Sequence, residues 1–233
     1  MNDRRIRVWD LPTRLFHWAL LACIVGSLVS VKIGGDAIAW HFRFGFAILT
    51  LVSFRVIWGF IGSRYARFAS FPPNPIAALR YLGGRSEPTP GHNPLGAFSV
   101  YALLAALAFQ AGSGLFANDS IMWDGPLKRL ISSDTSDLIT TLHRLNRFVL
   151  LGLIALHLGA ILFYSRIKKE TLVAPMVAGD REYPAGVPLP EAADDSAGLR
   201  LRALIVLIAC AVAVASSKPQ PSSRTIMRTL SAP

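Results

Sequence analysis

Long apolar runs separated by short charged loops are the main pattern of the chain. A membrane-spanning helix needs about 20 mostly apolar residues, and four segments reach that length: Leu11 to Val31, Ile38 to Gly62, Pro94 to Phe116 and Leu138 to Ser165. A fifth apolar run, Ala203 to Ser217, is shorter and would cross only where the bilayer thins or its flanks help. The pattern predicts an all-α integral membrane four-helix bundle, and it leaves open whether a fifth C-terminal transmembrane helix follows.

The composition agrees with a membrane protein and excludes other classes. Of the 233 residues, 52% are hydrophobic and only 16% are charged, against roughly 25% charged in soluble proteins. The net charge is +10, but a nucleic-acid binder would spread its basic residues over a folded surface. Here they bracket uncharged stretches, which predicts contact with lipid headgroups and no nucleic-acid partner. No CxxC or CxxCH motif is present, so neither a thiolate metal site nor covalent haem attachment is predicted.

Basic residues concentrate in alternate loops, which sets the predicted orientation. They lie before span 1 (Arg4, Arg5, Arg7, Arg14), between spans 2 and 3 (Arg64, Arg67, Arg80, Arg85) and after span 4 (Arg166, Lys168, Lys169). The positive-inside rule then predicts a multi-pass protein of the bacterial inner membrane with a cytoplasmic N-terminus. A cleavable signal peptide ending near Ala39 is the alternative, although the first apolar run is longer than the usual signal core.

The sequence also divides the chain into regions. Residues 1–170 hold the four spans, and residues 171–202 contain four prolines and several acids, which is typical of a Pro-rich cytoplasmic linker. Residues 203–233 hold the fifth apolar run and a basic tail that we expect to be disordered. Between spans 2 and 3, residues Ile76 to Leu82 predict a short interfacial helix.

Four of the five histidines lie within or at the ends of predicted spans: His17, His41, His143 and His157. Ionisable residues at membrane depth are costly and mark functional sites. On one helix, the 14 residues between His143 and His157 correspond to about 21 Å and to nearly the same face. With the predicted orientation, His17 lies at the inner level with His157, and His41 lies at the outer level with His143.

Facing imidazoles at two depths fit the axial ligands of two six-coordinate b haems in a helical bundle. A structural zinc would need four ligands in one place, and a proton relay more often uses carboxylates, which the spans lack. For any one of the histidines alone, a hydrogen bond to a neighbouring helix explains the position equally well.

Haem propionates need cations or hydrogen-bond donors when buried. Arg43, Arg55 and Arg147 follow the histidines at short or helical spacing and are candidate propionate partners. For Arg43, an ordinary place at the outer interface is the alternative. His92, beside Pro94 at the inner end of span 3, either contacts an inner propionate or a quinone, or caps the start of the helix.

Several motifs occur in a characteristic order: RVWDLPTRLFHW, WHFRFGF, FRVIWGFIGSRYARF, PGHNPLGA, and HRLNRF followed by ALH. Over residues 4–170 they resemble the prokaryotic cytochrome b561 family, which is related to the b-type cytochrome subunit of nickel–iron hydrogenases. The resemblance implies a transmembrane dihaem cytochrome b domain with non-covalent haem b. It also implies electron transfer between quinone and a redox partner, such as a cytochrome c or a dehydrogenase. The family's ligands fall on His17, His41, His143 and His157.

Three functions follow from these observations. The first is a respiratory dihaem cytochrome, acting as an electron-transfer protein or as a subunit of a quinone-linked oxidoreductase. The second is the cytochrome b anchor of a hydrogenase or another periplasmic dehydrogenase. The third is a haem-free transporter that uses the histidines as a relay. No nucleophile–base set or carboxylate pair stands near the histidines, so no catalytic residue is predicted, and the oligomeric state is left open.

Overall fold

The computed structural model describes residues 4–83, 89–183 and 185–217. Arg85, in the predicted inner loop, and the tail after Ser217 lie outside these ranges. The described elements, in chain order, are β1 (Arg5–Arg7), α1 (Leu11–Ile33), α2 (Ile38–Ile61), α3 (Pro75–Leu82), α4 (Pro94–Gly114), α5 (Ser133–Arg166), α6 (Val173–Ala178), β2 (Asp180–Glu182) and α7 (Ala197–Ser216).

Four of the five long helices begin at strong capping residues, the exception being α2. The side chains of Asp10, Asn93, Ser132 and Ser196 each accept a hydrogen bond from a backbone N–H in the first turn of α1, α4, α5 and α7. Such caps satisfy N–H groups that have no partner within the helix. α1 ends at Gly34, whose φ of 73° suits a residue without a Cβ atom.

Within the described residues, five helices are long and apolar enough to cross a membrane, namely α1, α2, α4, α5 and α7. α1 packs on α2, α2 packs on α4, and α4 packs on α5. Their shared core contains buried residues from every long helix: Phe16, Leu20, Ile48, Val52, Phe54, Trp58, Leu104, Leu107, Leu150 and Ala203. Many other large apolar side chains point outward, which is the arrangement that a lipid environment favours.

The fifth long helix starts earlier than the sequence predicts. α7 begins at Ala197 and has 20 residues, whereas the apolar run alone suggests a start at Ala203. The added turns carry Arg200 and Arg202, both exposed, and such side chains can extend to a headgroup region while their stems stay on the helix. Because the arginines stay outside, the helix reaches spanning length. It packs on α2 through Leu199, Ala203 and Cys210.

Where the sequence predicts a linker, the structure holds secondary structure. β2 pairs antiparallel with β1, with Ile6 opposite Arg181, and α6 precedes it. The interior of this unit contains Ile6, Val8, Trp9, Tyr65 and Ala193, with Met176 and Tyr183 packed against them. We call the unit made of β1, α6, β2 and residues 187–195 the cap. The end of the bundle that carries it is the capped end, and the opposite end, with the loop between α4 and α5, is the loop end.

A single carboxylate joins the cap to two long helices. Asp195 accepts hydrogen bonds from the Leu11 N–H at 2.9 Å, from Arg7 at 2.5 Å and from Arg200 at 3.0 and 3.1 Å. Burial opposes its ionisation, but the hydrogen bonds from Arg200 and the Leu11 N–H outweigh burial and hold the pKa of Asp195 below its ordinary value. The side chain is only 8% exposed, so this contact fixes the starts of α1 and α7 against β1.

Candidate functional site

Two histidines meet at the loop end of the bundle. His41, in the first turn of α2, and His143, in the first half of α5, have ring centroids 6.3 Å apart and rings at 90°. This is one of the two pairs that helical rise and loop charges predict. The loop between α4 and α5 lies beside it, because Trp123 packs on Phe42, the residue after His41, with ring centroids 5.9 Å apart.

Hydrogen bonds fix the tautomer of both rings. His41 Nδ1 lies 3.2 Å from the Ser27 carbonyl oxygen and 2.9 Å from the Ser27 hydroxyl. A carbonyl only accepts, so Nδ1 carries the hydrogen. His143 Nδ1 lies 3.0 Å from the Ser113 hydroxyl, whose own hydrogen points to the Gln110 carbonyl at 3.1 Å. That hydroxyl therefore accepts from His143 Nδ1, and both histidines have an unprotonated Nε2 that can bind a metal.

A polar network surrounds His143. The Gln110 amide donates to His143 Nε2 at 3.0 Å and to the His143 carbonyl at 3.1 Å. Asn146 in turn donates to the Gln110 side-chain oxygen at 2.7 Å. A Cβ atom at Gly114 would stand 3.2 Å from the His143 ring, so a glycine there leaves the ring its room. The Gln110 amide donates to the Nε2 lone pair of His143, which is the lone pair that a metal would take.

The second pair lies near the capped end. His17 and His157 are close enough for their charges to interact, and His157 and Arg55 both interact with His92. His92 contacts Trp9 of the cap and Phe71, with ring centroids 4.7 and 4.3 Å apart. Burial, with the charges of Arg55 and His157, lowers the pKa of His92 to about 3, so this imidazole is neutral.

Arg55 is the buried cation of the capped end. It is 3% exposed, stands over the Phe68 ring at 5.2 Å and lies near the carboxylate of Asp10. Asp10 is fully buried and accepts hydrogen bonds from the Thr13 N–H at 2.6 Å, from Trp58 at 3.4 Å and from Ser63. A buried guanidinium needs such a countercharge.

The other predicted propionate partners are placed differently. Arg43 is exposed and stacks over the Trp40 ring at 4.5 Å, which is the interfacial position considered for it from the sequence. Arg147 is half-buried, stands over the Phe148 ring at 4.8 Å and is close enough to His143 for their charges to interact. Arg55 is therefore the only one of the three with a buried charge.

Sequence reasoning missed the residues that surround the histidines. Ser27, Ser113, Gln110 and Asn146 contact the loop-end pair, and Asp10 neutralises Arg55. The sequence holds part of the information needed to find them. Polar side chains inside apolar spans need partners, and Asp10 stands before Leu-Pro, which is a helix-start pattern. Which helix each polar residue faces depends on packing that the sequence does not give.

The donor sets fit haem at both ends. At the loop end, His41 and His143 have ring centroids 6.3 Å apart, and each offers an unprotonated imidazole nitrogen, which is the donor that haem iron would take. At the capped end, His17 Nδ1, His92 Nδ1 and Arg55 Nη1 are buried and have no hydrogen-bond partner in the described part of the chain. Buried polar atoms are normally satisfied, and an anionic cofactor would supply a partner for Arg55.

Comparisons with known proteins agree with these features. The family described as prokaryotic cytochrome b561 matches residues 8–179. A probable Ni/Fe-hydrogenase B-type cytochrome subunit of Rhizobium leguminosarum bv. viciae is 23% identical over 78% of this chain and 90% of its own. A probable Ni/Fe-hydrogenase 1 B-type cytochrome subunit of Escherichia coli (strain K12) is 21% identical over 77% of this chain and 92% of its own. No solved structure matches the chain.

The apolar helices and the histidine pairs define a membrane cytochrome of the b type. The chain belongs to the prokaryotic cytochrome b561 family. It is a multi-pass membrane protein of electron transport that uses haem b, and this disfavours the haem-free transporter considered from the sequence.

Proposed function

We propose that this cytochrome holds two b haems and carries electrons across the bacterial inner membrane, between quinone at the capped end and a redox partner at the loop end. The pairing of His41 with His143, with both Nε2 atoms free of hydrogen, is the observation that carries the proposal. His17 and His157 form the second ligand pair, about 20 Å from the first along the helices.

The residues of the chain have separate roles in this proposal. At the loop end, Ser27 and Ser113 hold the ligand rings, and Gly114 leaves room for one of them. At the capped end, Arg55 neutralises propionate charge while Asp10 keeps the guanidinium in place. His92 is neutral and stands between the cap and His157, where it can donate to a propionate or a quinone. Arg147 is the candidate propionate partner at the loop end.

Bound haem b supplies an iron that accepts and releases one electron. His17, His41, His143 and His157 would hold the haems in pairs, and two imidazole ligands on one iron would favour electron transfer over ligand chemistry. The apolar side chains of the bundle keep water away from the sites, and burial and hydrogen bonding set the potentials.

The basic loops support the orientation. The segment before α1 and the loop between α2 and α3 carry basic residues, namely Arg4, Arg5, Arg7, Arg64 and Arg67. The segment between α4 and the first turns of α5 has Asp119, Asp124, Asp134 and Asp137 against Lys128 and Arg129. The capped end is then cytoplasmic by the positive-inside rule.

The test is a reduced-minus-oxidised spectrum of the purified protein together with a haem count per chain. We expect two low-spin haems that acidified acetone extracts. One haem per chain, or colour that resists extraction, would contradict the proposal.

A second function, the membrane anchor of a hydrogenase or a similar dehydrogenase, is supported by the names of the relatives. It uses the same haem sites, with the dehydrogenase as the loop-end partner. Purification in mild detergent distinguishes the two functions, because an anchor would bring a stoichiometric metalloenzyme with it.

A further inference from the structure

The two histidine pairs differ in what their Nδ1 atoms contact. At the loop end, the Nδ1–H of His41 points to the Ser27 carbonyl and that of His143 points to the Ser113 hydroxyl. At the capped end, His17 Nδ1 is buried and has no hydrogen-bond partner in the described part of the chain. The capped end instead has the buried cation Arg55, with one guanidinium nitrogen unpartnered.

An acceptor on the Nδ1–H of a ligating imidazole makes the ring a stronger electron donor, which favours the ferric state of a bound iron and lowers its potential. Both loop-end rings have such an acceptor. Cations lie at both ends, with Arg147 beside His143 and Arg55 beside Asp10, so the difference that bears on the potentials is the hydrogen bonding of the ligands.

We infer that Ser113 and Ser27 are positioning residues that lower the potential of the loop-end haem, because they accept hydrogen bonds from the Nδ1–H groups of its two ligands. The inference rests on the proposed two-haem function and deepens it by naming the residues that tune one of the two sites.

The two serines act through different atoms, which predicts a graded effect. Ser113 contacts His143 Nδ1 only through its hydroxyl, so Ser113→Ala removes the acceptor. Ser27 offers both its hydroxyl and its backbone carbonyl to His41, and the carbonyl survives in Ser27→Ala. The carbonyl is held in turn by the Ser30 hydroxyl at 3.0 Å. The effect of Ser113→Ala should therefore exceed that of Ser27→Ala.

The experiment is a redox titration of the purified protein, with the visible spectrum and the electron paramagnetic resonance g-values recorded together. His17→Ala, which should keep only the loop-end haem, identifies its signals. Ser113→Ala should raise the potential of the loop-end haem and shift the g-values of the same haem, while the capped-end haem stays unchanged.

Two variants separate tuning from general packing. Ser113→Thr keeps a hydroxyl and should keep the wild-type potential. Ser53→Ala removes a hydroxyl from α2 in the apolar groove of about 450 Å³ beside α7, away from the histidines, and should change neither haem. A shift in Ser113→Thr as large as in Ser113→Ala would overturn the inference.

Two intact haems in Ser113→Ala with unchanged potentials and g-values would overturn the inference. If Ser113→Ala fails to accumulate, Ser113→Cys replaces the hydroxyl by a weak acceptor of similar size and should raise the same potential; an unchanged potential there would overturn the inference as well. A preparation with fewer than two haems would instead contradict the proposed function, so the haem count distinguishes the two failures.

Discussion

Each proposed haem takes one axial histidine from α5 and one from another helix, so the loss of either ligand should damage the same haem. His17→Ala and His157→Ala should impair the capped-end haem, and His41→Ala and His143→Ala should impair the loop-end haem. The sites are about 20 Å apart, so one can be lost without the other. Low-temperature spectra of the four variants measure this.

The control for the ligand variants is the amount of protein in the membrane, because haem binding also stabilises the folded bundle by mass action. If His17→Ala and His143→Ala gave the same spectrum at equal protein levels, the pairing by depth would be wrong.

Arg55 should tune the capped-end haem. Its charge is buried, and replacing it by Leu removes a cation that favours the reduced state, so the potential of that haem should fall. The loss also leaves Asp10 without its countercharge, which costs roughly 3 kcal/mol or more of stability, so the amount of haem-loaded protein in the membrane is compared with the wild type first. Redox titration measures the shift.

Arg43→Leu is the matched control for Arg55, because Arg43 is exposed and stacks on Trp40. It should leave both potentials near the wild-type values, since solvent screens an exposed charge. Unchanged potentials in Arg55→Leu would mean that this arginine serves packing or topology.

At the scale of elements, the cap should depend on the ionised form of Asp195. The folded state lowers the pKa of this carboxyl below its ordinary value, so its contribution is fully present above the unfolded pKa and is lost as the pH falls through the folded pKa. Asp195→Asn should weaken the cap by about 2 kcal/mol at neutral pH. Hydrogen exchange of the β1 and β2 amides measures the change.

The difference between Asp195→Asn and the wild type should disappear in acid, where both side chains are neutral. Glu191→Gln is the control, since Glu191 and its partner Arg64 are both exposed and such pairs contribute little. A difference that persists at low pH would show that Asp195 acts through shape and not through charge.

The elements themselves divide into those that the sequence could predict and those that it could not. Length and hydropathy are sufficient to predict spanning helices, so the bounds of α1, α2, α4 and α5 were predicted to within a few residues. The pairing of β1 with β2 was not, because each has three residues and they are about 170 positions apart. α7 was predicted too short because a window that excludes charge stops at Arg202, although exposed arginines can continue a helix.

At the scale of the whole molecule, the sequence predicts the histidine pairs more completely than the cap, because two independent quantities restrict the depth of each histidine. Helical rise fixes the depth of His143 and His157 on one helix, and loop charge fixes which helices bring His17 and His41 to the same depths. Neither quantity says which way a side chain faces across a helix contact. The contacts of Ser113 and Gln110 with the site therefore became known only from the packing of α4 on α5.

The fifth long helix gives the last prediction, which concerns the topology of the whole chain. If all five long helices cross, the two ends of the described chain lie on opposite sides of the membrane. The positive-inside rule predicts a cytoplasmic N-terminus from Arg4, Arg5 and Arg7, which precede α1. A reporter fused after Lys169 should then read cytoplasmic, and reporters fused after Ser217 or inserted between Asp119 and Asp137 should read periplasmic. Two reporters identify the side of each fusion point: a phosphatase is active only in the periplasm, and a fluorescent protein matures in the cytoplasm. If the reporter after Ser217 read cytoplasmic while the other two read as expected, α7 would not cross the membrane. If all three were inverted, the capped end would face the periplasm.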